Sequence, residues 1–111
     1  MIQSSPPTGF SVLVSQDRSE VVVQARGALD VERAPALRRT LADLVDDGAR
    51  SVVVDLRETP YLDSVGLGVL VGALKRARDR GGDVSLCGPQ NNVYELIDLT
   101  GLTEVFEITG R

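Results

Sequence analysis

The chain has 111 residues, a length at which one domain with a single core is expected. Its composition, 42% hydrophobic and 25% charged, is typical of a globular protein and not of a disordered or membrane-embedded chain. It contains no histidine and one cysteine, Cys87, which excludes histidine-based catalytic pairs, an internal disulfide and a cysteine cluster for metal. The net charge of −4 offers no broad basic surface, so we expect no nucleic-acid partner.

No secretory or membrane segment is expected. The first residues lack the charged and apolar regions of a secretory signal. The longest uncharged apolar run, residues 65–74, has ten residues, whereas a membrane span needs about 20. The sequence therefore predicts a cytoplasmic protein with no membrane association. Residues 1–9 are polar with two adjacent prolines and predict a flexible N-terminal tail, so that residues 10–111 form the domain.

The first half of the chain predicts a hairpin followed by a helix. β-branched runs at residues 10–14 and 21–25 flank a polar cluster at residues 16–19, a pattern typical of two paired strands. A helix is predicted to follow from Asp30, a good N-cap, to Gly48. Its inward face consists of apolar residues at helical spacing: Ala34, Leu37, Leu41, Leu44 and Val45.

The middle of the chain predicts a buried strand and a second helix. Residues 51–56 are nearly all apolar, a pattern typical of a central parallel strand covered on both faces. A connector over residues 57–63 leads to a helix whose basic C-terminal end complements the helix dipole and which ends at residues 81–82. The inward residues of this helix are expected to be Leu67, Leu70, Val71, Leu74 and Ala77.

The rest of the chain predicts a strand at residues 84–87, a third helix over residues 91–100 and a last strand over residues 105–108. Gly101 is expected to end the third helix, whose inward residues are Val93, Leu96 and Ile97. The order β-β-α-β-α-β-α-β predicts a single α/β domain. Its sheet is expected to be mixed but mostly parallel, with about five strands and an initial hairpin, packed with helices.

Residues 61–68 place a polar pair, Asp63 and Ser64, between a strand and a helix. In open α/β sheets the crevice beyond the carboxyl end of a strand is where ligands and chemistry usually lie. A hydrolase is excluded, because a nucleophile elbow needs glycine where Leu62 stands and a histidine base elsewhere. Since Ser64 lies at or beside the N-cap of the second helix, a purely structural cap is one interpretation.

The glycines of the second helix do not form a dinucleotide-binding loop. Gly66, Gly68 and Gly72 are spaced one residue too widely for that motif. We expect Gly68 and Gly72, one turn apart, to allow close packing of the helix against the sheet or a partner.

A third interpretation of Ser64 is a modification site. A phosphoryl group there would be stabilised by free N–H groups and by the positive end of the helix dipole. It would also add about −1.5 to −2 charges beside Asp63. The local fold would survive this charge, but an interface would not.

Four segments, taken in order, resemble the STAS domains, named for sulphate transporters and anti-sigma factor antagonists, and particularly the stand-alone bacterial antagonists. Residues 27–30 (Gly-Ala-Leu-Asp) are similar to the first loop of that family, and residues 52–56 to its central strand. Residues 61–68 (Tyr-Leu-Asp-Ser-Val-Gly-Leu-Gly) resemble its phosphoacceptor loop, and residues 99–102 the turn before its last strand. The resemblance covers nearly the whole chain.

The resemblance implies a partner-switching protein that is not an enzyme and needs no cofactor. In this family the unphosphorylated antagonist binds an anti-sigma factor and frees the sigma factor. The anti-sigma factor is also an ATP-dependent serine kinase that phosphorylates the Asp-Ser serine, here Ser64, and a metal-dependent serine phosphatase reverses this. The implied partner contacts are Leu29, Asp30, Asp63, Ser64, Val65, Gly66, Leu67 and Gly68.

If the second and third strands are parallel neighbours, their following loops form one patch at one edge of the sheet. We expect Leu67, at the exposed start of the helix, to be a partner contact there; the alternative is that Leu67 belongs to the core. For Asp30, helix capping and partner contact are both open and compatible.

Two positions depart from the family pattern. Many relatives carry Ser or Thr where Val65 stands, which leaves Ser64 as the only candidate acceptor, and many carry Glu in place of Ala28. Outside the motif, Asp55 is expected to be a structural carboxylate, and Cys87 is expected to lie in the core rather than act as a redox sensor.

Two other functions stay open on the sequence alone. The first is a different STAS role, as a scaffold or transporter-associated subunit in which Ser64 is never modified. The second is a small-ligand or nucleotide-binding module with its ligand at the N-terminus of the second helix. The absence of a P-loop argues against the second.

Overall fold

The computed structural model describes residues 9–110, so the predicted N-terminal tail lies outside the described residues except for Gly9. Within residues 9–110, five strands form one sheet in chain order. They are β1 (Ser11–Asp17), β2 (Glu20–Arg26), β3 (Ser51–Asp55), β4 (Asp83–Cys87) and β5 (Ile108–Thr109). β1 and β2 form an antiparallel hairpin, and the other neighbours are parallel. The predicted mixed α/β sheet and the central position of β3 are confirmed.

The described part of the chain also contains three α-helices: α1 (Ala34–Asp46), α2 (Ser64–Asp79) and α3 (Asn91–Leu99). The core lies between these helices and one face of the sheet. Alternate strand residues are buried on that face: Val23, Ala25, Val52, Val54, Val84 and Leu86. The helices contribute the residues that helical spacing predicted, among them Leu37, Leu41, Leu70, Leu74, Val93 and Ile97, and these predictions are confirmed.

The other face of the sheet is only partly covered in residues 9–110. Val22, Val53, Ser85 and Cys87 lie on it, half-buried, and line a groove of about 380 Å³. The expectation that both faces of β3 are covered is therefore wrong. Valine favours strands because its branched side chain fits a pleated surface, so a run of valines does not distinguish a covered face from a half-exposed one.

Two predicted boundaries also differ. The last strand is Ile108–Thr109, because the backbone N–H groups of Val105 and Phe106 both donate to the carbonyl of Leu102 and close a short 3-10 segment. Helix α1 begins at Ala34, four residues after Asp30. Asp30 instead stabilises the turn that precedes the helix, as described below.

Candidate functional site

Two loops are joined at the edge of the sheet where β2 and β3 end. The loop after β2 (residues 27–33) lies beside the loop after β3 (residues 56–63). The N–H of Leu29 donates to the carbonyl of Tyr61 at 2.8 Å, and the carbonyl of Leu29 accepts from the N–H of Asp63 at 3.3 Å. These bonds continue the parallel pairing of the two strands beyond the sheet. The predicted single patch at one edge is confirmed.

The Asp63 carboxylate holds the two loops together. One oxygen accepts the N–H of Gly66 at 2.9 Å, which makes Asp63 the N-cap of α2. The other oxygen accepts the N–H of Val31, in the neighbouring loop, at 3.1 Å. Both partners are backbone groups, and Asp63 forms no ion pair within residues 9–110. Its negative charge is therefore held in place without being neutralised by a cation.

Gly66 allows the first turn of α2 to approach the other loop. A β-carbon at this position would lie 2.4 Å from the carbonyl oxygen of Leu29 and 2.8 Å from a methyl group of Leu62. Both distances are too short for any side chain. The glycine is therefore required by the contact between the helix and the loop after β2.

Ser64 is the first residue of α2, and its side chain is exposed. Its hydroxyl has no hydrogen-bond partner among residues 9–110. Since Asp63 caps the helix, the interpretation of Ser64 as a structural cap is wrong. The hydroxyl stands beside an unneutralised carboxylate, at the positive end of a helix of 16 residues.

Asp30 stabilises its own loop. One carboxylate oxygen accepts the N–H groups of Glu32 at 3.2 Å and Arg33 at 3.1 Å, and the other lies 2.6 Å from a guanidinium nitrogen of Arg33. This is the geometry of an Asx-type turn that leads into a helix. Asp30 is half-buried, so part of its side chain faces solvent on the same edge as Asp63.

Exposed apolar side chains surround Ser64. Val31 is 60% exposed, Tyr61 52% and Val65 44%. Sequence reasoning included Val65 but missed Val31 and Tyr61. The sequence did contain a signal for both. Each is a large apolar residue inside a polar loop and lacks the periodic apolar neighbours that indicate a core position. We call the exposed surface of Asp30, Val31, Tyr61, Asp63, Ser64 and Val65 the edge patch.

Three of the expected partner contacts lie below this surface. Leu29 is fully buried and Leu67 is 6% exposed, both within the core, and Gly66 is buried beneath the loop contact. The expectation that Leu67 is an exposed contact is wrong. It lies three residues before Leu70 and seven before Leu74, on the inward face of α2. Of the expected contacts on α2, Ser64, Val65 and Gly68 remain accessible.

Asp55 and Cys87 occupy the groove side of the sheet. Asp55 is 3% exposed, and its two oxygens accept hydrogen bonds from the Arg57 side chain at 2.8 to 3.2 Å and from the Arg57 N–H at 3.0 Å. These bonds hold the pKa of Asp55 below its ordinary value. The prediction of a structural carboxylate is confirmed. Cys87, in contrast, is partly exposed in the groove and does not lie in the core.

Residues 9–110 contain neither a candidate membrane span nor a candidate metal-binding cluster. None of the helices within residues 9–110 has the length and apolar character needed to cross a bilayer. Across the same residues, no three acidic or cysteine side chains come together as a metal site would require.

Known proteins are similar to this chain in both sequence and fold. The family model for the STAS domain matches residues 11–110. The chain belongs to the STAS domain family. The anti-sigma-B factor antagonist of Bacillus subtilis is 35% identical to this STAS domain over 102 residues, which cover 92% of this chain and 93% of that protein.

Solved structures share the fold of this STAS domain. An anti-sigma factor antagonist from Mycobacterium paratuberculosis superposes with a TM-score of 0.85 at 28% identity, covering 97% of this chain and 92% of that one. The Bacillus cell fate determinant SpoIIAA in its phosphorylated form shares the fold, with a TM-score of 0.71 at 19% identity and coverage of 88% and 90%.

Proposed function

We propose that this STAS domain is an anti-sigma factor antagonist, a regulatory binding protein and not an enzyme. In its unphosphorylated form it binds an anti-sigma factor in the cytoplasm and thereby frees the sigma factor. The observation that carries the proposal is the edge patch, which surrounds the accessible hydroxyl of Ser64 with apolar side chains and carboxylates. The similarity to the Bacillus subtilis antagonist over nearly the whole chain supports the same function.

The chemistry of the edge patch suits a protein partner. Exposed apolar side chains gathered at one site and rimmed by polar groups are typical of interaction surfaces. Tyr61 can bury its ring against a partner while its hydroxyl stays hydrated, a combination that is enriched at interfaces. We therefore assign partner contacts to Asp30, Asp63, Ser64, Val65 and Gly68, and add Val31 and Tyr61. Leu29, Gly66 and Leu67 support this surface from beneath.

Phosphorylation of Ser64 would act as the switch. The first turn of α2 can accept a phosphate because the positive end of the helix dipole favours an anion, even though the Gly66 N–H already donates to Asp63. The same phosphate would stand next to Asp63, whose charge no cation neutralises within residues 9–110. A partner that covers the edge patch would have to desolvate both negative charges. The free-energy penalty of this desolvation exceeds the stabilisation that the helix dipole gives to the phosphate. Phosphorylation should therefore release the partner without unfolding the domain.

The partners that this switch requires are an anti-sigma factor with serine kinase activity and a metal-dependent serine phosphatase. The kinase must cover the edge patch to bring the γ-phosphate of ATP to the hydroxyl of Ser64. Binding and phosphorylation would then use one surface, and the product of the reaction would weaken the complex that made it.

The proposal is tested by calorimetric titration of the purified serine-kinase anti-sigma factor of the source organism into three forms of this protein. Wild type should bind. Ser64→Asp should bind at least about 10-fold more weakly, a change of about 1.4 kcal/mol. The control Ser19→Asp makes the same substitution in the hairpin turn at the opposite edge of the sheet, and it should bind as wild type does. Absence of wild-type binding, or equal affinity for Ser64→Asp, would contradict the proposal.

A further inference from the structure

A second surface, next to the edge patch along α2, lies between α1 and α2. The two helices leave a groove of about 170 Å³ between them. Leu41 and Ala73 form its floor, Val69 lines one wall, and Arg38 and Arg76 stand at its mouth. The lining is therefore apolar, with cationic side chains where the groove opens to solvent.

Gly68 and Gly72 keep this groove open. A β-carbon at either position would meet nothing within 4 Å, whereas one at Gly66 would collide with the neighbouring loop. Neither glycine therefore brings the helix close to the sheet, and of the two expected roles only close packing against a partner stays a prediction. Glycine inside a helix is destabilising relative to alanine, and nothing within residues 9–110 packs into the space that these two glycines leave.

The groove is continuous with the edge patch along α2. Ser64, Gly68 and Gly72 follow one another at intervals of four residues and lie on one side of the helix. All three are exposed. A partner that covers Ser64 and continues along α2 therefore reaches the groove within two helical turns.

The mouth of the groove is basic, although the protein as a whole is acidic. Arg38 and its neighbour Arg39 have no acidic partner within residues 9–110. Both also line an adjacent hollow of about 260 Å³, where Asp43 is the acidic lining residue. Arg76 is oriented by two hydrogen bonds to Asp46, at 2.9 and 3.0 Å. The unpaired charges of Arg38 and Arg39 favour a partner that carries carboxylates.

We propose that the α1–α2 groove receives one large apolar side chain from an acidic helix of the anti-sigma factor, whose carboxylates pair with Arg38 and Arg39. A cavity of about 150 Å³ holds a benzene-sized group, so the volume of this groove suits a single leucine or phenylalanine side chain. A helix fits because ridges of side chains pack into the grooves between helical surfaces. The inference rests on the proposed function, because it extends the contact of the same partner beyond the edge patch.

The test fills the groove without disturbing the fold. Gly72→Leu places a side chain in the open space, and the melting temperature should stay the same or rise, because leucine favours helix more than glycine does. Its affinity for the purified anti-sigma factor should fall at least 10-fold. Gly72→Ala should lose less affinity, because its side chain fills less of the groove. Asp79→Leu adds a leucine to α2 outside the groove lining and should bind as wild type does.

A charge reversal tests the basic mouth separately. Arg38→Glu should weaken binding about 10-fold at 0.1 M salt and by a smaller factor at 1 M salt, where the Debye length falls to about 3 Å. Arg50→Glu makes the same change before β3, away from the groove, and should leave the affinity unchanged.

The outcomes separate this inference from the proposed function. If Ser64→Asp loses affinity while Gly72→Leu and Arg38→Glu bind as their controls do, the groove inference is overturned and the proposed function stands. If wild type does not bind the anti-sigma factor at all, both are overturned. If wild type is a dimer that Gly72→Leu dissociates, the groove holds a second copy of the chain and the inference fails.

Discussion

Asp55 and Asp63 lie only eight residues apart, yet their carboxylates are satisfied in different ways. Asp55 ends β3 on the face of the sheet opposite the helices, and its oxygens accept hydrogen bonds from the side chain and backbone of Arg57. Asp63 is the N-cap of α2, and within residues 9–110 its carboxylate accepts only backbone N–H groups, one from Gly66 and one from Val31. The first carboxylate is neutralised by a cation, and the second is fixed in position but stays charged.

This difference separates a structural carboxylate from one that can take part in a switch. An ion pair that is already complete offers little to a partner and responds little to a new charge nearby. A carboxylate held by the backbone keeps its negative field at a fixed position. A second negative charge placed beside it raises the cost of covering the site. We call the contact of the Asp63 carboxylate with the N–H groups of Gly66 and Val31 the Asp63 junction. We expect this junction, and not the Asp55 pair, to control both the loop geometry and the response to modification.

The substitution expected to destabilise the Asp63 junction most is Gly66→Ala. The added methyl group would collide with the Leu29 carbonyl, so the two loops must separate or α2 must shift. We expect a loss of about 3 kcal/mol in the free energy of unfolding. Gly68→Ala is the matched control, because its methyl group meets nothing, and it should stabilise the protein by up to about 1 kcal/mol. Equal stability of the two variants in urea denaturation would contradict the junction described here.

Removal of the Asp63 carboxylate should have the next largest effect. Asp63→Ala loses the N-cap of α2 and the hydrogen bond to Val31, which should lower the free energy of unfolding by about 2 kcal/mol. Asp63→Asn keeps one acceptor oxygen and should recover part of this loss. Asp43→Ala, an exposed aspartate on α1, should change stability by less than about 0.5 kcal/mol. A loss no larger for Asp63→Ala than for Asp43→Ala would show that the carboxylate does not hold the loops.

The Asp55 pair should be visible in the acid dependence of stability. The hydrogen bonds from Arg57 lower the folded-state pKa of Asp55, so its contribution is complete above the unfolded pKa of about 4 and is lost as the pH falls through the folded value. Asp55→Asn removes this titration. Below about pH 4, the stability of this variant should fall less steeply than that of wild type, by up to about 1.4 kcal/mol per pH unit.

Asp46 provides the control for this measurement. The hydrogen bonds from Arg76 also lower its pKa, but the pair is exposed to solvent, so Asp46→Asn should change the acid slope less than Asp55→Asn does. An acid slope for Asp55→Asn identical to that of wild type would contradict the assignment of a structural ion pair.

Ser64→Ala should have the smallest effect on stability. Because Asp63 and not Ser64 caps α2, loss of the hydroxyl should change the free energy of unfolding by less than about 0.5 kcal/mol. The variant should still bind the anti-sigma factor, and it should not be phosphorylated. A loss of 1 kcal/mol or more in thermal or chemical denaturation would restore the interpretation of Ser64 as a structural cap.

Periodicity predicted most of the fold. The three helices, the hairpin and the central strand follow from repeating apolar positions that the core then buries. The same spacing also indicated the correct location of Leu67, since it lies in register with Leu70 and Leu74. The expectation of an exposed contact failed because it relied on the position of Leu67 in the motif rather than on the face of the helix it occupies.

The details of the edge patch could not be predicted in the same way. Exposure of Val31 and Tyr61 depends on how two loops pair, and loops have no period from which a buried side could be read. The choice between Asp63 and Ser64 as the N-cap depends on a boundary of one residue, where both side chains are good caps. The open space beside Gly68 and Gly72 depends on the separation of α1 and α2, which no local pattern encodes.

Mapping the phosphorylation site is the decisive measurement for Ser64 as the switch residue of the edge patch. The protein is incubated with ATP and the serine-kinase anti-sigma factor of the source organism, and the phosphopeptides are identified by mass spectrometry. We expect phosphate on Ser64 alone and no incorporation into Ser64→Ala. Phosphate on Thr59 or Ser51, or incorporation into Ser64→Ala equal to that of wild type, would contradict it.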